Sequence, residues 1–273
     1  MGDGTGGGGA SGATARSGAQ LRSVRRALAA LRAFEPPPHS LGVSEISRAL
    51  GLSKGTVHLL TKVLEGEGFL ERDAATGKFQ LGPAIHILTA AARRDLRLAA
   101  REPMHRLYTE TSFPAYLAVL LADRAVIVEK AAPTLSFLAI LDVGAPMPLH
   151  SSAAGKVLLA CSPAETRARL LGALKRSGLE PMTPGTITSF DALRAEIEKV
   201  ARDGFALDRE ESLPGVFCVA APVRGADGEM TAAVSVAAPA PAFEDAGQIE
   251  LVRDMVRRTA EAISYRLGYR VTG

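Results

Sequence analysis

Residues 43–69 read VSEISRALGLSKGTVHLLTKVLEGEGF, and this stretch decides the fold of the N-terminal part of the chain. Its pattern predicts a helix, a tight turn and a second helix. Ser44 is a candidate cap for the first helix, because its hydroxyl can accept an N–H group of the first turn. Gly51 stands where a helix usually ends with a positive φ, and Ser53 is placed to cap the second helix. This arrangement is the helix-turn-helix, whose second helix can enter the major groove of DNA.

The second helix has two distinct faces. At about 100° per residue, Val57, Leu60 and Leu64 fall on one stripe, which we predict to be buried. Amide groups of the first turn favour a phosphate. An ordinary helical hairpin with a solvated polar face is the alternative for the helix pair alone. The start of the helix and its outer face carry the residues that we predict to contact DNA, namely Ser53, Lys54, Gly55, Thr56, His58, Leu59 and Lys62.

The composition indicates a globular protein. The chain has 273 residues, enough for two domains, and is 47% hydrophobic and 22% charged. It contains no apolar run long enough to span a bilayer, and its first residues lack the pattern of a secretory signal. Cys161 and Cys218 form neither a CxxC pair nor a zinc-binding spacing, and His58 has no second ligand at a suitable spacing. We therefore expect a cytoplasmic protein without disulfides, metal or cofactor.

Positive charge is concentrated around the helix pair. Residues 20–82 hold nine Lys and Arg against six Asp and Glu, whereas residues 83–273 hold 22 of each kind. The whole excess therefore lies in the segment with the helix-turn-helix. This distribution fits a phosphate-binding domain attached to a neutral one.

Two segments precede the helix pair. Residues 1–19 are mostly Gly, Ala, Ser and Thr, and this composition predicts a disordered tail. Residues 20–34 predict an amphipathic helix that is ended by the prolines after it. We expect its inward face to consist of Leu21, Val24, Leu28 and Leu31.

A β-hairpin is predicted directly after the helix pair. Residues 69–81 read as two short strands around a turn, and they complete a winged helix-turn-helix domain over residues 20–82. The tip of the wing would carry Arg72 and Lys78 toward the DNA backbone. A hairpin that only covers the helices is the alternative.

The rest of the chain predicts a linker helix and an α+β domain. Residues 83–100 form the linker helix, and Pro103 is expected to start another helix within the domain 101–273. This domain is predicted to be a meander-rich antiparallel sheet with helices on its faces. Strands are expected at 116–121, 125–130, 136–141, 205–209, 217–223 and 231–237, and helices at 153–160, 163–171, 191–202 and 243–267.

Several stretches, in this order, resemble the IclR family of bacterial transcriptional regulators. They are SEISRALGLSKGTVHLLTKVLEGEGFLERD, GKFQLGP, PLHSSAAGKVLLA, GFALDREE, and GVFCVAAPV followed by AAVSVAAP. The resemblance covers about residues 20–265. It implies an N-terminal winged helix that binds double-stranded operator DNA, a linker helix and a C-terminal GAF-like domain. That domain would bind a small organic effector, a carboxylate or an aromatic metabolite, and the protein would act as a homodimer or homotetramer.

The resemblance also implies which residues bind the effector. The matching positions are Ala153, Ala154, Asp208, Val216, Cys218 and Ser235. Structural alternatives remain for four of them: close packing against the sheet for the two alanines, a solvated strand end for Asp208 and a small buried hydrophobe for Cys218. Ala237 stands where the family has a second serine, which favours a more apolar ligand.

The DNA-reading helix departs from the family pattern as well. Leu59 stands where many members have Arg, and Gly55 where Ser is common. Leucine can contact a thymine methyl group but cannot make the paired hydrogen bonds to guanine that arginine makes. We therefore expect an operator that differs from those of Arg-bearing members.

Two other functions fit parts of the pattern. His150, Asp208 and Cys218 could form a thiol enzyme site, but a reactive thiol needs an activating base or cation nearby. No catalytic residue is predicted on this basis. A DNA-binding scaffold whose second domain binds no ligand is the other alternative.

Overall fold

The computed structural model describes residues 10–35, 39–91, 94–132, 141–243 and 245–270. The chain divides into two compact units, Met1–Arg93 and Arg94–Gly273. None of the helices in these described ranges combines the length and the hydrophobicity that a membrane span requires.

The first unit is a winged helix-turn-helix, as predicted. Its hairpin pairs antiparallel, and the backbone of Leu41 exchanges two hydrogen bonds of 2.9 Å with that of Phe79, so the segment before α2 extends the wing. The elements are α1 (Ala10–Arg32), α2 (Val43–Leu50), α3 (Lys54–Gly66), β1 (Leu70–Arg72), β2 (Phe79–Leu81) and α4 (Pro83–Ala91).

The turn between α2 and α3 has the predicted signals, whereas the start of α2 does not. Gly51 ends α2 with φ 63°, and the hydroxyl of Ser53 accepts the N–H of Thr56 at 3.2 Å. The prediction that Ser44 caps α2 is wrong, because the cap is Gly42. A carboxylate oxygen of Glu45 accepts the N–H of Gly42 at 2.7 Å, and this bond starts the helix ahead of Ser44.

The buried stripe of α3 differs slightly from the predicted one. Val57, Thr61 and Leu64 are buried, while Leu60 is half-buried. They pack in a core with the buried residues of the other elements, which are Ala30, Phe34, Ile46, Leu70 and Phe79.

The structure corrects the sequence prediction for α1 in two ways. The predicted inward residues Leu21, Val24 and Leu28 are 61%, 57% and 56% exposed, because the buried residues of this segment are Ala30 in α1 and Phe34 just after it. An apolar stripe marks a helix face without showing what covers that face. The helix also begins at Ala10, within the segment predicted to be a disordered tail; alanines there favour extension of an existing helix.

The second unit confirms the predicted α+β arrangement. Its sheet has six antiparallel strands in the order β5-β4-β3-β8-β7-β6. Helices α5 and α9 pack on one face, while α6 and α8 pack on the other. The strands are β3 (Ala115–Leu121), β4 (Arg124–Ala131), β5 (Pro146–Met147), β6 (Ala206–Arg209), β7 (Val216–Arg224) and β8 (Met230–Pro239). The helices are α5 (Arg94–Thr111), α6 (Ala153–Cys161), α7 (Ala164–Ser177), α8 (Phe190–Asp203) and α9 (Ala246–Arg266), with a short 3-10 turn at Ala240–Phe243.

The residues of the predicted linker helix, 83–100, fall in α4 and in the first part of α5, and residues 92–93 lie outside the described ranges. Pro103 lies inside α5 instead of starting a helix. Proline removes the hydrogen bond to the carbonyl four residues earlier, and here that carbonyl, of Ala99, accepts a hydrogen bond from Arg266 of α9 at 3.5 Å. Tertiary packing therefore lets the helix continue. Most of the strand predicted at 136–141 lies outside the described residues.

Candidate functional site

A cavity of about 230 Å³ opens on the face of the sheet that carries α6. Its wall is formed by strand residues, by the start of α6 and by the loop residues Leu141, Pro148, Met182, Ser212 and Leu213. All six predicted effector positions line it, namely Ala153, Ala154, Asp208, Val216, Cys218 and Ser235. The fold thus brings together residues that are up to 82 positions apart in the chain.

The register of the sheet explains the floor of the cavity. Asp208 lies opposite Cys218, and Cys218 lies opposite Ala237, which forms one row across β6, β7 and β8. Tyr116 on β3 lies opposite Ser235 on β8. Residues directly opposite each other in neighbouring strands point to the same face. The two rows therefore present carboxyl, thiol, hydroxyl and phenol groups to one space.

The start of α6 forms a second wall. The hydroxyl of Ser152 accepts the N–H of Gly155 at 3.0 Å and donates to the carbonyl of Pro148 at 2.6 Å. A Cβ on Gly155 would lie 2.2 Å from that carbonyl, so this close approach requires glycine. The amides of Ala153 and Ala154 have no acceptor inside the helix, and no acid occupies the first turn. Such a helix start favours an anionic ligand group.

Asp208 is fully buried, so its alternative as a solvated strand-end charge is wrong. One carboxylate oxygen accepts the N–H groups of Glu211 at 2.7 Å and Ser212 at 3.2 Å, and the other accepts the Ser212 hydroxyl. Burial raises the pKa of Asp208 to about 6, although these hydrogen bonds favour the charged form. Asp208 therefore holds the loop that brings Ser212 and Leu213 to the cavity.

A buried ion pair supports the same loop. Lys156 of α6 is fully buried, with its Nζ 2.6 Å from Glu211 Oε1 and 3.6 Å from Glu196 Oε1. The hydroxyl of Thr186 donates to the carbonyl of Glu211 at 2.6 Å. Glu211 Oε2 is buried and has no hydrogen-bond partner among the described residues. These contacts attach the loop that contains Glu211 to α6 and to Thr186.

The predicted DNA-contacting residues of α3 lie on its exposed side. Lys54, Gly55, His58 and Lys62 are exposed, and Leu59 is 66% exposed, opposite the buried stripe of Val57, Thr61 and Leu64. The outward placement of Leu59 is confirmed. Ser53 is exposed at the cap and Thr56 is half-buried in the first turn.

Both cations predicted for the wing have contacts inside the unit. The guanidinium of Arg72 lies 5.7 Å from the centre of the Phe79 ring, and its Nε donates to the carbonyl of Gly77 at 3.1 Å. Lys78 Nζ donates to Glu45 of α2 at 3.2 Å. The pKa of Glu45 is lowered, first by its bond to the Gly42 amide and then by Lys78. The wing is therefore fixed against the start of α2.

Two family models match the chain. The IclR helix-turn-helix domain matches residues 23–74, and the bacterial transcriptional regulator IclR C-terminal model matches residues 88–265. The chain belongs to the IclR family of bacterial transcriptional regulators. This IclR regulator is 37% identical over 232 residues to the HTH-type transcriptional regulator Rv1719 of Mycobacterium tuberculosis, which covers 84% of this chain and 86% of that protein.

Other relatives of the IclR regulator agree along nearly the whole chain. It is 32% identical over 254 residues to the HTH-type transcriptional regulator XynR of Escherichia coli, covering 91% of this chain and 98% of that protein. It also resembles the crystal structure of an IclR homolog from Microbacterium hydrocarbonoxydans complexed with 4-hydroxybenzoate. That match has a TM-score of 0.79 and 26% identity, and it covers 90% of this chain and 98% of that one. The IclR regulator is thus a DNA-binding transcriptional regulator.

The geometry of the IclR regulator argues against the thiol-enzyme alternative. Burial, and next the negative charge of Asp208, raise the pKa of Cys218 well above its ordinary value, so the thiol stays protonated. His150 Nε2 is bonded to the carbonyl of Glu180 at 3.0 Å. Across the described residues, no group of three His, Cys, Asp or Glu side chains could hold a metal ion. The relatives named above are regulators, a class without catalytic function.

Sequence reasoning missed several residues of the cavity in the IclR regulator. Tyr116, Met147, Met182, Ser212 and Leu213 also line it. For Tyr116 the alternation of β3 was an available signal, since its even positions share a face with Ser235. The single lysine inside the apolar run AAGKVLLA was the available signal for the buried pair of Lys156.

Proposed function

We propose that this IclR regulator binds a small aromatic carboxylate in the cavity beside α6 and operator DNA with the exposed face of α3. The proposal of an effector site rests on one observation, which is that all six predicted effector positions line the same cavity. The free amides at the start of α6 suit a carboxylate, and the apolar side chains of Leu141, Met147 and Val216 suit a ring. The 4-hydroxybenzoate in the complex of the Microbacterium relative is an aromatic carboxylate of this kind.

The polar groups of the cavity floor suit a hydroxyl on the ring. Ser235 and Asp208 both line the cavity, and burial raises the pKa of Asp208 to about 6. Ala237 has no hydroxyl where the family has a second serine. This favours a ligand with one polar end and an apolar middle over a small keto acid.

The DNA-binding part rests on α3. Lys54 and Lys62 would contact phosphates, and Thr56, His58 and Leu59 would face base edges or the backbone. Ser53 and Gly55 lie at the start of the helix, where they allow close approach, while Arg72 and Lys78 would stand beside the adjacent backbone. An operator-binding protein of this kind acts in the bacterial cytoplasm.

We propose a homodimer or homotetramer as the active form, because helix-turn-helix proteins commonly read two half-sites. The apolar stripe of Leu21, Val24 and Leu28 on α1 is exposed and suits a contact with a second copy. The ligand changes DNA affinity only if it binds differently to the DNA-competent and the incompetent arrangement. The chain between the units, through α4 and the start of α5, is the candidate transmitter.

Two measurements on the full chain test this function. A gel-shift assay with the promoter next to its own gene is expected to give a complex whose affinity falls steeply with salt. Thermal unfolding with 4-hydroxybenzoate at about 100 times its Kd is expected to show about 2.7 kcal/mol of added stability. If the protein binds no DNA specifically, with or without aromatic acids, the proposed function as a regulator is contradicted. Specific DNA binding without any stabilisation by a panel of organic acids supports the ligand-blind scaffold instead.

A further inference from the structure

The outer face of α3 carries two neighbouring apolar residues, Leu59 and Val63. Of these, only Leu59 is among the predicted DNA contacts. Leu59 is 66% exposed and Val63, one turn later, is 63% exposed. Relative to Val57 they lie at about 200° and 240° around the helix, opposite the buried stripe. Single exposed apolar residues are common on protein surfaces. Two of them side by side at the centre of this face call for a specific explanation.

The surroundings of the pair suit DNA. Lys62 and His58 are exposed beside it, and Lys54 is exposed in the first turn. From Lys54 to Leu64 the helix contains no acidic residue, and Gly55 adds no side chain to the face. The face is thus cationic at its margin and apolar at its centre. The major groove is complementary to it, because phosphates line the edges and thymine methyl groups project from the floor.

We propose that Leu59 and Val63 read the C5-methyl groups of thymines in the operator, so that methyl contacts carry base discrimination at these positions. The proposal rests on the proposed binding of DNA by α3. The two residues lie about 6 Å apart along the helix axis. This distance corresponds to about two base-pair steps of 3.4 Å. The two contacts therefore fall on thymines about two steps apart in each half-site.

Uracil provides the direct test, because it pairs as thymine does but lacks the methyl group. Binding sites are first selected from a random duplex library with the full-length protein. Each thymine of the selected sequence is then replaced by uracil in turn, and dissociation constants are measured. We expect about fourfold weaker binding at two thymines per half-site, the loss that corresponds to one buried methyl group at each. The same replacement at other thymines of the duplex should have no effect.

Variants assign each methyl group to its side chain. In Leu59→Ala and Val63→Ala, the uracil penalty should disappear at one thymine each, while other penalties remain. Leu251→Ala removes a leucine of α9 that is 53% exposed and should leave every penalty unchanged. Leu59→Arg should shift the selected base at its position toward guanine.

The outcomes separate this inference from the proposed function. If no uracil replacement in the selected operator weakens binding, the inference is wrong, but the proposed function as a regulator stands. The same holds if the uracil penalties persist in both alanine variants. A selected operator without thymine in either half-site overturns the inference as well. If Leu59→Ala and Val63→Ala change the oligomeric state but no uracil penalty, the pair contacts a second copy and the inference is wrong. Failure to select any sequence contradicts specific DNA binding itself.

Discussion

Asp208 on β6 lies directly opposite Cys218 on β7, so a carboxyl group and a thiol stand side by side on the floor of the cavity. The negative charge of Asp208 adds to burial in raising the pKa of Cys218. Burial also raises the pKa of Asp208 itself to about 6. The pair therefore combines a thiol that stays protonated with an acid that titrates near neutral pH. It can serve recognition, whereas thiolate chemistry is disfavoured.

The first prediction concerns pH and stability. The pKa of Asp208 is raised from 3.8 to about 6, so its contribution to stability is fully present below 3.8 and is lost as the pH rises through about 6. Asp208→Asn should therefore reduce the change in unfolding free energy between about pH 4 and pH 7, by roughly 3 kcal/mol at most. Urea unfolding at several pH values measures this. Asp191→Asn, at an exposed position of α8, is the control and should keep the wild-type slope. Equal slopes for wild type and Asp208→Asn would show that Asp208 does not carry this dependence.

The second prediction concerns the buried pair of Lys156 and Glu211. Lys156→Met leaves the Glu211 carboxylate buried without its cation, and we expect a loss of about 3–5 kcal/mol in unfolding free energy. Adding Glu211→Gln to this variant should recover much of the loss. A double-mutant cycle from urea unfolding at pH 7 measures the coupling. If the effects of the two single substitutions on the unfolding free energy simply add, the two side chains have no coupling energy.

The third prediction separates the two sites. Lys62→Ala should weaken operator binding and lower the slope of log affinity against log salt by about one, while ligand binding is unchanged. Lys199→Ala, at an exposed position of α8, is the matched control with no expected effect on DNA. Gel shifts at several salt concentrations and calorimetry with 4-hydroxybenzoate give both readouts. An unchanged salt slope in Lys62→Ala would remove Lys62 from the phosphate contacts.

The fourth prediction concerns Asp208 as a support for the cavity loop. Asp208→Ala removes the acceptor of the Glu211 and Ser212 amides, so ligand binding should be lost while operator binding is retained. The test is whether 4-hydroxybenzoate still changes the gel shift of the variant. An intact ligand response would contradict the assignment of this cavity as the effector site.

The fifth prediction concerns the close approach at α6. Gly155→Ala places a Cβ 2.2 Å from the carbonyl of Pro148, and we expect a loss of about 1–3 kcal/mol in stability. Gly172→Ala in α7 is the control, because the nearest atom to its Cβ is a flexible Arg176 nitrogen at 3.4 Å. In that variant the better helix former should raise stability by up to about 1 kcal/mol. The thermal midpoints of both variants decide the matter, and equal midpoints would contradict the steric argument.

Much of the local structure followed from short-range signals. Gly51 and Ser53 set the turn between α2 and α3, and the strand pair around residues 122–123 was evident from the sequence. These features depend on backbone preferences and on hydrogen bonds between near neighbours. Positions identified by resemblance, such as Asp208 and Cys218, also fell into one cavity. In each case the decisive interaction, or the family motif, is contained within a few residues of the chain.

Features that depend on distant partners did not follow in the same way. The stripe of Leu21, Val24 and Leu28 was apolar and well spaced, yet the buried residues of this segment are Ala30 and Phe34. Pro103 was expected to start a helix, yet it lies inside α5, where Arg266 of α9 donates a hydrogen bond to the Ala99 carbonyl. Nothing near Glu211 in the chain indicated Lys156, which lies 55 positions away.

The sequence by itself thus determined the helix-turn-helix, most of the strands and helices of the second unit, and the membership of the family, because these depend on local patterns and motifs. The tertiary structure alone decided that the apolar stripe at the start of α1 is exposed, that Lys156 pairs with Glu211, and that Asp208 is buried with a raised pKa. The physical reason is that burial and strand register arise only when distant segments meet. Whether an apolar face is buried, and whether the pKa of an acid is shifted, depends on the groups that cover it.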